Sequence, residues 1–250
     1  MSHPHQPATP ATPSETPALD LREKGGPKDG QPQFSDRRLF MQLTAFSGCR
    51  DAQLLINGLG RGVDCVLYEE VNDPTGVAVL AMTENPELLV TTLRHDLNSG
   101  PFKELKLKPE YSMLGRTYAI GYEPKLEDTL LERPRRMTMN PATPWAIWYP
   151  LRRNGAFSRL TKQEQGQVLK EHGVIGRQFG DIGAASDVRL ACHGLDKNDN
   201  DFVIGVIGKE LAPLSQLVET MRPTVQTSQY IANLGPFFVG RAIWRTPQKA

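Results

Sequence analysis

The residues most suited to chemistry lie in the second half of the chain. Tyr149 ends an apolar segment and is followed by Pro150-Leu151-Arg152-Arg153. Farther along, His172 precedes a glycine at the expected end of an amphipathic helix. Tyrosine can release an electron and a proton, arginines bind carboxylates, and histidine ligates iron. This combination predicts a site for an anionic, redox-active cofactor.

The elements that position these side chains can be predicted from local patterns. Thr161 and Glu164 have the spacing of a capping box, and Gly173 suits a left-handed C-cap, so we expect a helix from Thr161 to His172. Tyr149 alternates with Ile147 along a predicted strand. Packing in a core is the commoner role for a histidine or a tyrosine in such patterns.

A third candidate is the segment from 187 to 193. A period of two places Asp187, Arg189, Ala191 and His193 on one face of a strand and three apolar side chains on the other. The polar face can border solvent or line a pocket, and the sequence leaves both readings open.

Composition excludes several classes of protein. The chain has 250 residues, with 29 Lys and Arg against 28 Asp and Glu, so nothing indicates nucleic-acid binding. Three cysteines without a Cys-x-x-Cys pattern fit a reducing cytoplasm better than a disulfide framework. We expect no membrane span and no secretory signal, because no apolar run is long enough.

The order of elements indicates a duplicated α+β fold. Residues 1–34 are rich in Pro, Thr and Gly, and we expect a disordered tail. Strand and helix patterns then recur over residues 35–125 and 145–250, with a proline-rich connector over 126–144. Each half reads as a ferredoxin-like β-α-β-β-α-β repeat, and two such sheets can enclose one barrel-like core.

The chain resembles the chlorite dismutase family, and within it the coproheme decarboxylases, from about Asp36 to Trp244. The resemblance is carried by Tyr149 to Arg153, by Glu171 to Arg177 with the histidine, and by Gly235 to Gly240 in the closing strand. Met221-Arg222, followed by Thr227 and Tyr230, is similar to the helix end that binds porphyrin propionates. Leu151 and Arg153 stand where the decarboxylases often have Met and Lys.

The resemblance implies a dimeric α+β barrel that uses iron coproporphyrin III (coproheme) or haem b. His172 would ligate the iron, and Tyr149 would be the redox-active tyrosine beside a propionate. The implied propionate-binding residues are Arg135, Arg153, Arg222 and Thr227. The implied reaction is the decarboxylation of two propionates to vinyl groups, driven by hydrogen peroxide through a tyrosyl radical. A homo-oligomer, most often a pentamer, and a transient contact with coproporphyrin ferrochelatase are also implied.

The residue on the opposite side of the iron stays open between Asp187 and Arg189. Asp187 could act as a base toward peroxide. With Arg189 in that position, chlorite decomposition or a peroxidase-like activity becomes the alternative. A haem-free, non-catalytic member of the family is the third possibility.

Overall fold

The N-terminal part of the chain carries a hairpin that the sequence analysis did not predict. The computed structural model describes residues 18–60 and 62–247. Strands β1 (Glu23–Lys28) and β2 (Gln31–Ser35) pair in antiparallel fashion around Asp29 and Gly30, which both have positive φ. The prediction of a disordered tail is therefore wrong where it covers this hairpin, and residues 1–17 lie outside the described ranges.

Polar contacts rather than apolar burial hold the hairpin in place. The Glu23 carboxylate accepts hydrogen bonds from Arg38 at 3.0 Å and from Arg116 at 2.9 Å. The Gln33 amide donates to the carbonyl of Glu123 at 3.1 Å. These contacts provide hydrogen-bond partners for backbone and carboxylate groups and need no large apolar side chains. Low hydrophobicity therefore wrongly indicated disorder in this segment.

The remaining strands form one antiparallel sheet that closes on itself. They are β3 (Phe40–Ser47), β4 (Asp64–Glu70), β5 (Val77–Thr83), β6 (Lys106–Arg116), β7 (Trp145–Arg153), β8 (Ser186–Ala191), β9 (Phe202–Gly208), β10 (Ile231–Leu234) and β11 (Phe238–Arg245). Their order is β7-β11-β4-β5-β3-β6-β8-β9, and β9 pairs back onto β7. The first half of β7 pairs with β11 and its second half with β10. The closed sheet is a barrel.

Helices lie between the strands. The α-helices are α1 (Ala52–Gly58), α2 (Glu87–Val90), α3 (Thr92–Leu97), α4 (Arg133–Thr138), α5 (Gly155–Arg159), α6 (Lys162–Asp181), α7 (Leu211–Met221) and α8 (Val225–Tyr230). A 3₁₀ helix spans Gly100–Glu104 and a π-helical turn spans Asp128–Glu132. None of the helices within the described ranges is long and apolar enough to cross a membrane.

The strand order confirms the predicted duplication. The first half orders its strands β6-β3-β5-β4 and the second half β11-β7-β9-β8, which is the same fourth-first-third-second pattern in each repeat. The repeats join through β4 with β11 and through β6 with β8. The fold is therefore the predicted α+β barrel of two ferredoxin-like repeats.

The segment between the repeats is more ordered than the predicted proline-rich connector. It contains the π-helical turn and α4, and it buries Leu126, Leu130 and Leu131 against apolar side chains of the barrel interior. These leucines contribute to the core, so the connector is part of the packed structure.

The two faces of each barrel strand pack against different partners. On β7, Ala146 and Trp148 join the barrel interior, whereas Ile147, Tyr149 and Leu151 pack on the outside with residues of α7. Trp148 stands opposite Gly205 of β9, where a Cβ would come within 2.5 Å of the indole. The outward face of β7 thus positions Tyr149 beneath the helices.

Candidate functional site

Tyr149 lies between the barrel sheet and the helices that cover it. Its side chain is 9% exposed, and its ring lies 4.7 Å from that of Phe237 with a tilt of 31°. Burial raises the pKa of the phenol well above its usual value, the charge of Asp187 raises it further, and Arg222 opposes both. The phenol therefore keeps its proton at neutral pH.

His172 lies in the middle of a helix and not at its end. The capping box of Thr161 and Glu164 starts α6 as predicted, but the helix continues to Asp181. The prediction that Gly173 ends the helix is wrong, because the glycine with positive φ after the helix is Gly183, at +68°. The longer helix holds the imidazole more firmly than a frayed end would.

A hydrogen bond to Thr224 fixes the tautomer of His172. The Thr224 hydroxyl donates to the carbonyl of Met221 at 2.7 Å, and its oxygen lies 3.0 Å from Nδ1 of His172. The contact to the carbonyl is the shorter of the two, so we infer that it takes the single hydroxyl proton and that Nδ1 carries the proton that the hydroxyl oxygen accepts. Nε2 then keeps its lone pair, which is the state that a metal ligand requires.

The electrostatic surroundings also favour the neutral imidazole. Burial lowers the pKa of His172. Glu171 raises it, whereas the positive charges of Arg153 and Arg189 lower it. The ring is therefore deprotonated at neutral pH and available to bind an electron-pair acceptor.

One pocket brings together four of the residues predicted from sequence. Its cavity volume is about 30 Å³, far below the range typical of ligand sites, so the cleft is narrow in this structure. The predicted residues that line it are Tyr149, His172, Arg222 and Thr227. Apolar side chains such as Leu151 and Met221 form much of the rest of the wall.

Arg153 is a buried cation with an unused donor beside this site. It follows Tyr149 by four residues on the same face of β7, and its guanidinium carbon lies 4.3 Å from the ring of Phe157 and 4.7 Å from that of Phe202. Its Nε is buried and has no hydrogen-bond partner among the described residues. Burial lowers the pKa of Arg153. An orphaned cationic donor of this kind is suited to an anion.

The polar face of β8 lies beside the same surface. Tyr149 pairs with Ile204 of β9, which pairs in turn with Arg189 of β8. Two strand spacings place the backbones of Tyr149 and Arg189 about 10 Å apart. Arg189 is not free, because its Nε lies 3.0 Å from the carboxylate of Asp187. The two candidates for the position opposite the iron therefore form an ion pair.

Arg135 does not reach the pocket. Its guanidinium contacts Asp64 at 3.4 Å and Glu84 at 3.6 Å, which are residues of the first repeat. The connector arginine that faces the second repeat is Arg133, which donates to the carbonyl of Asp187 at 3.1 Å and contacts its carboxylate at 3.3 Å. The arginine that contacts β8 is therefore Arg133, two residues before the Arg135 that the family resemblance indicated.

Sequence reasoning missed Thr224 and Arg133. Thr224 is buried and follows a proline, a common arrangement that carried no signal of its own. Arg133 lies in a run with Arg135 and Arg136. The sequence does not show which of these side chains points toward the second repeat, because that depends on the orientation of α4. Both contacts depend on the packing of distant elements, so no local pattern could have indicated them.

The donor set fits an iron porphyrin better than a bare metal ion. Within residues 18–60 and 62–247, no group of three or more His, Cys, Asp or Glu side chains is arranged to hold a metal. A porphyrin supplies four nitrogen ligands itself and needs one axial imidazole. His172 has the correct tautomer, and the unpaired Nε of Arg153 is suited to a carboxylate arm.

Comparison with known proteins identifies the family. A model of the chlorite dismutase family matches residues 46–243, and the chain belongs to that family. A search of curated proteins finds no matching relative.

Solved structures share the fold. A novel heme-binding protein from Thermus thermophilus is 18% identical with a TM-score of 0.65, and the match covers 82% of this chain and 91% of that one. Chlorite dismutase from Candidatus Nitrospira defluvii in complex with imidazole is 13% identical with a TM-score of 0.63, covering 83% and 92%. At these identities the likeness concerns the fold.

Proposed function

We propose that the protein binds iron coproporphyrin III and converts two of its propionates into vinyl groups with hydrogen peroxide. The observation that carries the proposal is the presence of His172 and a buried, protonated Tyr149 in the wall of one pocket, with Arg222 beside them. When bound, the iron porphyrin supplies the redox centre that peroxide oxidises.

The arginines account for the choice of a substrate rich in carboxylates. Arg222 lines the pocket, and Arg153 offers a desolvated guanidinium with an unused Nε. A planar guanidinium binds a carboxylate through two parallel hydrogen bonds, and burial strengthens the attraction. Thr227 adds a hydroxyl in the same wall. Arg135 is engaged elsewhere, so the proposal does not include it.

Tyr149 is the residue that we expect to move the hydrogen. Its raised pKa keeps the proton on the phenol oxygen, so the residue loses a hydrogen atom and not merely an electron when it is oxidised. The resulting tyrosyl radical removes a hydrogen from a propionate carbon. For each propionate, one peroxide accepts two electrons and two protons and becomes two water molecules, while carbon dioxide leaves and a carbon–carbon double bond forms.

We propose that Asp187 and Arg189 face the bound porphyrin from the side opposite His172. Their ion pair supports decarboxylation over chlorite decomposition, because an arginine bound to a carboxylate is a poorer partner for an anionic oxidant. The alternative is tested by oxygen release from chlorite with haem b bound. If the wild type releases oxygen from chlorite and Arg189→Ala does not, chlorite decomposition replaces decarboxylation as the proposed function.

The first test separates binding from turnover. We expect Tyr149→Phe to bind iron coproporphyrin III as the wild type does and to form no haem b on addition of peroxide. The matched control is Tyr122→Phe, which makes the same change at a side chain that is 83% exposed and should retain turnover. Product formation by Tyr149→Phe at the wild-type rate would contradict the role of the tyrosine.

We also expect the protein to assemble as a homo-oligomer, with a pentamer as the first candidate, and to act in a reducing cytoplasm. The three cysteines are unbonded in the described structure. Light scattering of the purified protein tests the pentamer. A contact with coproporphyrin ferrochelatase, which would supply the substrate, is tested by co-purification of the two proteins, and the absence of a complex would count against it.

A further inference from the structure

The first repeat has a pocket in the place that corresponds to the candidate site of the second. The candidate site is bounded by the first strand of its repeat (β7), by α6 with His172, by α7, by the short helix α8 and by the short strand β10. The other pocket is bounded by β3, by α2 and α3, by the 3₁₀ helix and by β6. Strand β3 corresponds to β7, and α2 and α3 follow the third strand of their repeat as α7 does, whereas β6 corresponds to β11 and not to β10. The duplication therefore produces a second cleft between sheet and helices.

This second pocket is the larger of the two. Its cavity volume is about 470 Å³, compared with about 30 Å³ for the candidate site. Phe46 and Phe102 meet edge to face within its wall, with ring centroids 5.8 Å apart. Val90 and Leu107 also line the pocket and are 64% and 46% exposed, so the pocket wall remains apolar where it meets the solvent. Such a wall favours a ligand with a sizeable apolar body.

The charges in the wall all have one sign. Arg94 and Lys103 line the pocket, and among the described lining residues there is no aspartate or glutamate. Lys103 contacts Glu104 at 3.6 Å, but both side chains are largely exposed, so this pair is weak. Gln42, Thr44 and Ser112 add neutral polar groups from the strands. This combination of apolar wall and cations fits one anionic group on an apolar body.

The pocket has no axial ligand for a metal. Where the second repeat has the long helix α6 with His172, the first has the short helix α1, which does not contribute to the wall. The described lining contains no histidine, cysteine or tyrosine. We propose that this pocket binds an amphipathic organic anion, an apolar chain or ring system that ends in a carboxylate, without a metal bond.

Calorimetric titration of the full chain with decanoate tests the proposal, with the uncharged 1-decanol as the reference. We expect decanoate to bind more tightly than the alcohol. Arg94→Gln should weaken decanoate binding about tenfold, because it removes a hydrogen bond to a charged group. Arg94→Lys keeps the charge and should lose less. Arg50→Gln, at an exposed arginine that lines neither pocket, should leave the decanoate titration unchanged.

Three outcomes would overturn the proposal. Decanoate and 1-decanol binding with equal affinity would show that the cations have no role. Loss of binding in Arg222→Gln but not in Arg94→Gln would place decanoate in the other pocket. If wild-type protein takes up no decanoate and Leu107→Asp dissociates an oligomer in light scattering, the pocket is a contact between subunits.

Discussion

Replacing Thr224 by valine tests the geometry of the candidate site most sharply. Valine keeps the shape of threonine and removes only the hydroxyl. In the wild type that hydroxyl donates to the carbonyl of Met221 at 2.7 Å and accepts from Nδ1 of His172 at 3.0 Å. The variant leaves the imidazole N–H without its partner and frees the ring to rotate or to change tautomer.

The expected loss follows from these contacts. A hydrogen bond of this kind contributes about 1 kcal/mol net, and an unpaired buried donor costs about 1–3 kcal/mol. Because His172 is only half-buried, we expect the lower part of that range, about 1–2 kcal/mol. This corresponds to roughly 5- to 30-fold weaker binding of iron coproporphyrin, consistent with the effect of removing hydrogen-bond partners of metal ligands elsewhere.

The assay is an absorbance titration of the Soret band with iron coproporphyrin III. Thr224→Ser restores the hydroxyl and should bind as the wild type does. Thr161→Ala removes the N-cap of α6 without touching His172, so it should lower stability by about 1 kcal/mol and leave affinity unchanged. If Thr224→Val binds porphyrin as tightly as Thr224→Ser, the tautomer argument is refuted.

Three further predictions concern pH and packing. Because burial lowers the pKa of His172, porphyrin affinity should be constant above about pH 6.5 and fall as protonation begins below it; Soret titrations in which the fall begins well above pH 7 would contradict this. Gly205→Ala should destabilise the fold by about 1–3 kcal/mol in urea unfolding, because its Cβ meets the ring of Trp148, and a neutral result would exclude the clash. Lys108→Met should lower the free energy of unfolding by about 3 kcal/mol, because it leaves the buried carboxylate of Glu70 without its partner at 2.7 Å; a loss below about 1 kcal/mol would show that the pair matters little.

The sequence predicted the elements whose signals are local. The continuous apolar run after Gly76 is the fully buried strand β5, and the capping box at Thr161 starts α6. The hairpin at Asp29-Gly30 also had a local signal, since this pair favours a two-residue turn with positive φ. The prediction of a disordered tail rested on the composition of residues 1–34 alone and did not use that signal.

Features that depend on several distant elements could not be predicted. Gly173 looked like a helix end, but its neighbours continue the helix to Asp181, and the glycine with positive φ follows at 183. Arg135 and Arg133 are two residues apart, and only the packing of α4 directs one to the first repeat and the other to β8. The His172–Thr224 contact joins side chains that are 52 positions apart in the sequence.

The central claim is that His172 and Tyr149 serve one reaction on an iron porphyrin. Its most direct test is mass spectrometry of the porphyrin after the purified protein, loaded with iron coproporphyrin III, is treated with hydrogen peroxide. We expect two successive conversions of propionate to vinyl, ending in haem b. An unchanged porphyrin, or no Soret shift on mixing before peroxide is added, would contradict it.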